Sequence, residues 1–208
     1  MTGPETPLPN AYLRQLIEGI VAVLGNSVLQ AALTRAGLTQ RRNSLPPNDL
    51  ELDATMEEYS QLLEALESMT GRGSRSALRR VGQASFNWTL EQLRPPDPVS
   101  RLALRSRPVG LRQGVVLKAI GAGMEEMILG SKVSVGREGS RRIYQDSLSV
   151  AACCRDSETP VCFVYAGYLE QAMAYASDRP VTRFRATETL CRACGQDDCR
   201  FEIEELLE

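Results

Sequence analysis

Apolar residues recur at Leu13, Leu16, Ile17, Ile20 and Leu24, the three-and-four spacing of one helix face. Pro9 and Asn10 stand in front of them, which predicts a helix start with Asn10 as N-cap, and Gly25 marks its stop. A second, shorter helix is predicted from Asn26 through Val28, Leu29, Ala32 and Leu33 to Gly37. Residues 43–49, rich in Asn and Pro, read as a loop. Thr55 and Glu58 then make a capping box, followed by a buried stripe of Met56, Tyr59, Leu63, Leu66 and Met69. Two glycines at 71 and 73 interrupt the pattern, and a third amphipathic stretch runs through Leu78, Val81, Phe86 and Leu90. The prolines of 94–98 deny a helix both donors and geometry, so this segment is a linker.

The pattern changes after that linker. A helix is predicted over 111–129, weakened by Gly114, Gly121 and Gly123 and closed by Gly130. Short strands follow at 132–135, 142–144 and 148–153. Thr159 as N-cap and Pro160 at the first helical position open another helix through Val164, Tyr168, Ala172 and Tyr175. Residues 181–190 and 199–203 alternate as strands, with Cys199, Phe201 and Ile203 on one face, and the turn between them completes an antiparallel hairpin. The fold class is therefore α+β. A flexible stretch over 1–9 and a helical region over 10–94 precede an antiparallel sheet packed with helices over 95–205, the latter two forming one compact unit.

Composition narrows the function. The 208 residues carry a formal net charge of −2, which disfavours a general polyanion binder, and nucleic acid is not an expected partner. Arginines cluster at Arg72, Arg75, Arg79 and Arg80 and at Arg101, Arg105, Arg107 and Arg112, a pattern that fits solvated helix faces better than an anion patch. The first ten residues lack the features of a signal peptide, and no apolar run reaches membrane-spanning length, so a cytoplasmic location is expected. Histidine is absent altogether, which excludes Ser-His-Asp and Cys-His catalysis, histidine-ligated haem and histidine-containing zinc sites.

Cysteine is the chemistry that remains. Glu188, Cys191, Cys194 and Cys199 crowd one hairpin, Cys162 stands near a helix start, and Cys153 and Cys154 are adjacent. A metal site, a set of small buried thiols and a redox Cys-x-x-Cys are the three readings of this spacing. The redox reading is the weakest, because the motif sits on a hairpin. Cys162, about two residues inside its helix, would have its thiolate favoured by the helix dipole. Adjacent strand residues face opposite ways, so at most one of Cys153 and Cys154 is expected to ligate.

The segments PVCFVYAGYLEQAM and TETLCRACGQDDCRFEI resemble the C-terminal signature of the 4-vinyl-reductase domain, with Cys162, Gly167, Glu188, Cys191, Gly195, Cys199 and Phe201 at the motif positions. The likeness spans roughly residues 110–205, and the helical start at 8–25 is also similar to standalone members. Cys194 and a longer Gly167–Glu188 segment depart from the common pattern. The resemblance implies a fold related to vesicle-tethering TRAPP subunits and nitric-oxide-sensing haem domains. It also implies a structural Zn2+ held by Cys162, Glu188, Cys191 and Cys199, with Cys194 and Cys154 as alternates; four protein ligands leave no open position.

What the resemblance implies about function divides three ways. The first reading is a binding module for a small hydrophobic or aromatic ligand, or a tetrapyrrole, serving as an accessory or sensor protein linked to bacteriochlorophyll biosynthesis. Its candidate pocket residues are Phe86, Trp88, Met124, Met127, Ile128, Phe163, Tyr168 and Tyr175, each of which ordinary core packing would equally explain. The second is an enzyme reducing a vinyl group of a bacteriochlorophyll precursor; the GAGMEE run at 121–126 lacks the third glycine of a dinucleotide loop, so its electron source is not evident. The third is an interaction subunit, for which the apolar helix stripes permit a homodimer.

Overall fold

A computed structural model of the chain describes residues 6–93 and 97–206. The proline-rich linker over 94–98 therefore lies mostly outside the described residues, as do the first five residues of the expected flexible start. A two-residue ladder pairs β1 (Pro7–Leu8) with β2 (Ala54–Thr55). It brackets α1 (Asn10–Leu24) and α2 (Asn26–Arg35) and leads into α3 (Met56–Thr70). Next come α4 (Ser74–Trp88), a π-helical turn over Thr89–Leu93, α5 (Pro98–Arg105) and α6 (Val109–Met127). The sheet follows: β3 (Val133–Glu138), β4 (Arg141–Asp146), then after α7 (Phe163–Ser177) the hairpin of β5 (Phe184–Leu190) and β6 (Cys199–Glu205). All four strands are antiparallel in the order β3-β4-β6-β5.

One hydrophobic core runs from Leu8 in the first strand to Ile203 in the last, taking in the faces of α1, α3, α6 and α7 and the sheet. Its closest approach is between α4 and α7, which meet at facing glycines. A Cβ on Gly82 would lie 1.8 Å from the Val164 carbonyl oxygen, and one on Gly167 would lie 1.9 Å from that of Arg79. Only hydrogen fits there. A buried ion pair reinforces the crossing, with Arg79 bonded to Glu170 and to the carbonyl of Ala186 (2.8 Å). Glu170 in turn accepts from the Ala186 amide (3.1 Å), which fixes β5 against both helices.

The helical half follows the apolar pattern closely. The capping box at Thr55 and Glu58 forms in both directions, at 3.1 and 3.3 Å. Two details differ. Pro9 takes the N-cap position of α1, and Asn10 is its first residue, with its side chain fully buried and donating to Asp49 and Asp53. Met69, placed in the buried stripe of α3, is 38% exposed because the helix ends at Gly71 and leaves its last turn uncovered. An element also forms where the pattern predicts none, since Pro98 starts α5 rather than ending a linker.

Two corrections matter for the cysteines. Residues 148–153 are not a strand: Asp146 accepts from the Leu148 amide at 2.9 Å, which turns the chain, and a 3-10 turn occupies Val150–Ala152. The following helix does not start at Pro160. Ser157 and Thr159 close a local turn on each other, and the Cys162 amide is taken by the Glu188 carboxylate at 2.9 Å. Cys162 is consequently the N-cap residue of α7, with Phe163 the first helical residue.

Candidate functional site

The hairpin carries its donors inward through an irregularity. Phe184, Ala186 and Glu188 alternate toward the helices along β5, and simple alternation would send Leu190 in next. A register shift between Glu188 and Leu190 changes the phase, so Leu190 is exposed and Cys191 is buried. Cys199 opens β6, fully buried, and receives the Arg192 amide on its sulfur at 3.3 Å. Cys162 arrives from the start of α7, its Sγ 3.8 Å from that of Cys199 and 3.4 Å from Ser149 Oγ.

The donor atoms of Cys162, Glu188, Cys191 and Cys199 all lie within 4.8 Å of one another. Two zinc–sulfur bonds of about 2.3 Å at a tetrahedral angle would hold sulfurs about 3.8 Å apart, the separation of Cys162 and Cys199. Oε1 of Glu188 is buried and makes no hydrogen bond, so it has a free lone pair inside the cluster. Burial pushes the Glu188 carboxyl up to about 7. Burial also raises the Cys162 thiol, while hydrogen bonds from Cys162 and Cys199 hold the Cys191 thiol well below its ordinary range. Four acidic groups crowded together, the three cysteines buried and Glu188 half-buried, without a compensating charge produce this pattern, and a divalent cation fits the donor set.

The alternates lie elsewhere. Cys194 is half-exposed beside Cys191 and outside the group of four. Cys154 is exposed and belongs to a different cluster with Cys153 and Glu57.

Past Cys162, α7 becomes the wall of a cavity of about 310 Å³. Val164, Tyr165, Tyr168 and Tyr175 face it from α7, Phe86 from α4, Tyr12 and Gln15 from α1, Tyr59 from α3, Leu104 from α5, and Met124 and Met127 among others from α6. Five of the six tyrosines line it, and among the described residues no charged side chain does. The rings pack edge-on, tilted or stacked: Phe86 edge-on to Tyr168 at 5.1 Å, Phe86 tilted against Tyr175 at 5.8 Å, and Tyr165 stacked with Tyr168 at 6.1 Å. Polar atoms are few and placed. Tyr12 donates to Met124 Sδ at 3.5 Å, Tyr165 shares a 2.5 Å hydrogen bond with Tyr144, and Gln15 donates to the Ser85 carbonyl and to Thr89. Burial raises the hydroxyls of Tyr12, Tyr59 and Tyr165 far above the ordinary phenol value, so all three stay protonated.

The structure brings Phe86, Met124, Met127, Tyr168 and Tyr175 to this cavity and leaves three other candidates out of it. Trp88 is half-buried at the end of α4, and Ile128 is packed into the core beyond α6. Phe163 faces a separate cleft, under the guanidinium of Arg75 at 5.3 Å. Tyr12, Tyr59 and Tyr165 also line it: Tyr59 reads in the sequence only as part of a buried stripe, and Tyr12 and Tyr165 stand out on no stripe at all. The GAGMEE run lies inside α6 and forms no loop. Of the clustered arginines, Arg79 is taken by Glu170 and Arg105 and Arg112 by Asp178. No helix among the described residues is long and apolar enough to cross a membrane.

Known proteins agree with this architecture. The chain is similar in fold to an H-NOX protein from S. oneidensis in its Fe(II)NO ligation state, with TM-score 0.59, 13% identity, and 96% of this chain and 100% of that one covered. A mutant of T. tengcongensis H-NOX matches with TM-score 0.61, 13% identity and coverage of 95% and 97%. An oxygen-binding H-NOX domain related to soluble guanylate cyclases matches with TM-score 0.55, 14% identity and coverage of 97% and 98%. At such identities the likeness is one of fold. No curated protein matches the chain in sequence. The 4-vinyl-reductase domain family matches residues 146–205, a stretch that begins later than the expected 110 and contains all four donors of the cysteine cluster. Residues 146–205 thus match the 4-vinyl-reductase domain family, within a chain whose α+β fold is similar to that of H-NOX proteins.

Proposed function

We propose that this chain is a binding or sensing domain for a small, neutral aromatic molecule, steadied by a structural zinc ion at Cys162, Glu188, Cys191 and Cys199. The observation that carries the reading is the cavity: ring-walled, free of charge, and supplied with buried tyrosine hydroxyls that stay protonated. Such a lining recognises a flat apolar body by ring contact and one hydroxyl or carbonyl by hydrogen bonding. At about 310 Å³ it stands at the lower end of the about 300–1,000 Å³ spanned by ligand pockets.

Haem, which the fold family implies, does not fit these residues. The chain has no histidine to hold the iron, and the described cavity wall offers no cation to the two carboxylates of the macrocycle. A tetrapyrrole of the bacteriochlorophyll series meets a limit of size in a cavity of about 310 Å³. The zinc would supply no chemistry to the ligand. Four protein donors close its coordination, and its effect is to tie the start of α7 to the β5–β6 hairpin.

The test is calorimetric titration of the metal-loaded chain with phenol, with benzoate as a charged match in size, and with haemin. Saturable one-to-one binding of phenol, with benzoate at least about tenfold weaker, supports the reading. Stoichiometric haemin binding without phenol binding would end it.

A further inference from the structure

A second group of donors stands apart from the closed cluster. The turn after β4 brings Cys153 and Cys154 together: Cys154 adopts a left-handed φ of 59°, uncommon for a residue with a side chain, and the two sulfurs lie 3.1 Å apart. Cys154 Sγ also donates to Glu57 Oε1 at 3.3 Å, and the three donors fall within 4.8 Å of one another. Oε2 of Glu57 is buried without a hydrogen-bond partner.

Both sides of the group are held firmly. Glu57 lies in the first turn of α3, which the Thr55–Glu58 capping box fixes. The cysteine turn is fastened to the same helix by Ser60, which donates to the Cys153 carbonyl at 2.7 Å, and by Arg155, which makes two hydrogen bonds to Glu67 at 3.1 and 2.6 Å. Arg155 is thereby neutralised and does not oppose a cation. A left-handed backbone position at one of the two thiols, and a carboxylate that gives one oxygen to Cys154 and leaves the other buried without a partner, set this group apart from ordinary packing.

We infer that Glu57, Cys153 and Cys154 form a second, open site for a soft divalent cation such as zinc or cadmium. Two thiolates and a carboxylate suit such an ion, and three protein donors leave one position for solvent at the exposed Cys154. Binding exchanges the two thiol protons, which pass to water, for the cation. The sulfurs would separate from 3.1 Å to about 3.8 Å, the spacing set by two bonds of about 2.3 Å.

The experiment is cadmium NMR on the full chain, loaded with cadmium ion alone under a phosphine reductant. Two resonances are expected, the site with fewer sulfurs lying upfield. Cys154→Ser, a change at an exposed position, should abolish the upfield resonance and leave the other in place. Glu57→Gln should raise the cadmium concentration that half-fills it by about tenfold or more. An upfield resonance that survives in both Cys154→Ser and Cys153→Ser, or its absence from the unmodified chain, overturns the proposal. Loss of the downfield resonance alone would speak against the closed cluster instead.

Discussion

Helix α7 serves two regions of opposite character. At its N-cap, Cys162 enters a largely buried group of acids drawn from a helix start, two strands and the turn between them, where the donors press on one another. One turn further on, Val164, Tyr165 and Tyr168 face a space bounded by helices with no charge on its described walls. The first region gains from being closed, since every donor needs the others or a cation. The second gains from staying partly unfilled, since a packed wall would leave no room for a ligand.

Changes in the closed region should break the fold, and the largest effect is expected there. Cys199→Ala should release the metal and remove roughly 5 kcal/mol or more, a large share of the about 5–15 kcal/mol that keeps a domain folded. Melting curves with and without a chelator would show it, the variant behaving as the chelated parent does. Glu170→Ala comes next. It strands the Arg79 guanidinium between α4 and α7, and urea unfolding should register a loss of about 3–5 kcal/mol. Gly167→Ala drives a methyl group into the Arg79 carbonyl, and the two helices must part, at the upper end of the about 1–3 kcal/mol range for overpacking.

Acid should distinguish the regions without mutation. The Glu188 carboxyl, at about 7 in the metal-free protein, must be deprotonated to ligate, so metal affinity should fall as pH drops through 7. Binding of a neutral phenol at constant metal loading should not change over that range. A metal-buffered titration at pH 8 and pH 6 would read the first, and calorimetry the second. The smallest effect belongs to the cavity: Tyr165→Phe removes the hydrogen bond to Tyr144, lowering stability by about 1 kcal/mol while leaving metal content unchanged and weakening phenol binding.

The two regions also differ in how far they are legible in the sequence. Glu188, Cys191 and Cys199 sit on a hairpin whose alternation is plain, and Cys162 is placed by the motif around it, so the quartet is readable. The phase shift that turns Cys191 inward is not, because a bulge leaves no mark on composition. The cavity is half-readable. Periodicity puts Tyr59, Tyr168 and Tyr175 on inward stripes and passes over Tyr12 and Tyr165, and it says nothing of whether the inside is full. Trp88 illustrates the reverse error, where aromatic type suggests a lining that helix phase does not permit. Cys153 and Cys154 mislead for a local reason: a strand reading of 148–153 ignores the Asp146 side chain, which ends β4 by bonding the Leu148 amide.

Native mass spectrometry of the chain with phenol tests the shared helix most directly, after a weak chelator has stripped loosely held cations. One zinc per chain is expected in a compact charge-state envelope, with a single phenol bound only to the zinc-loaded species. A compact metal-free chain that binds phenol equally well would contradict it.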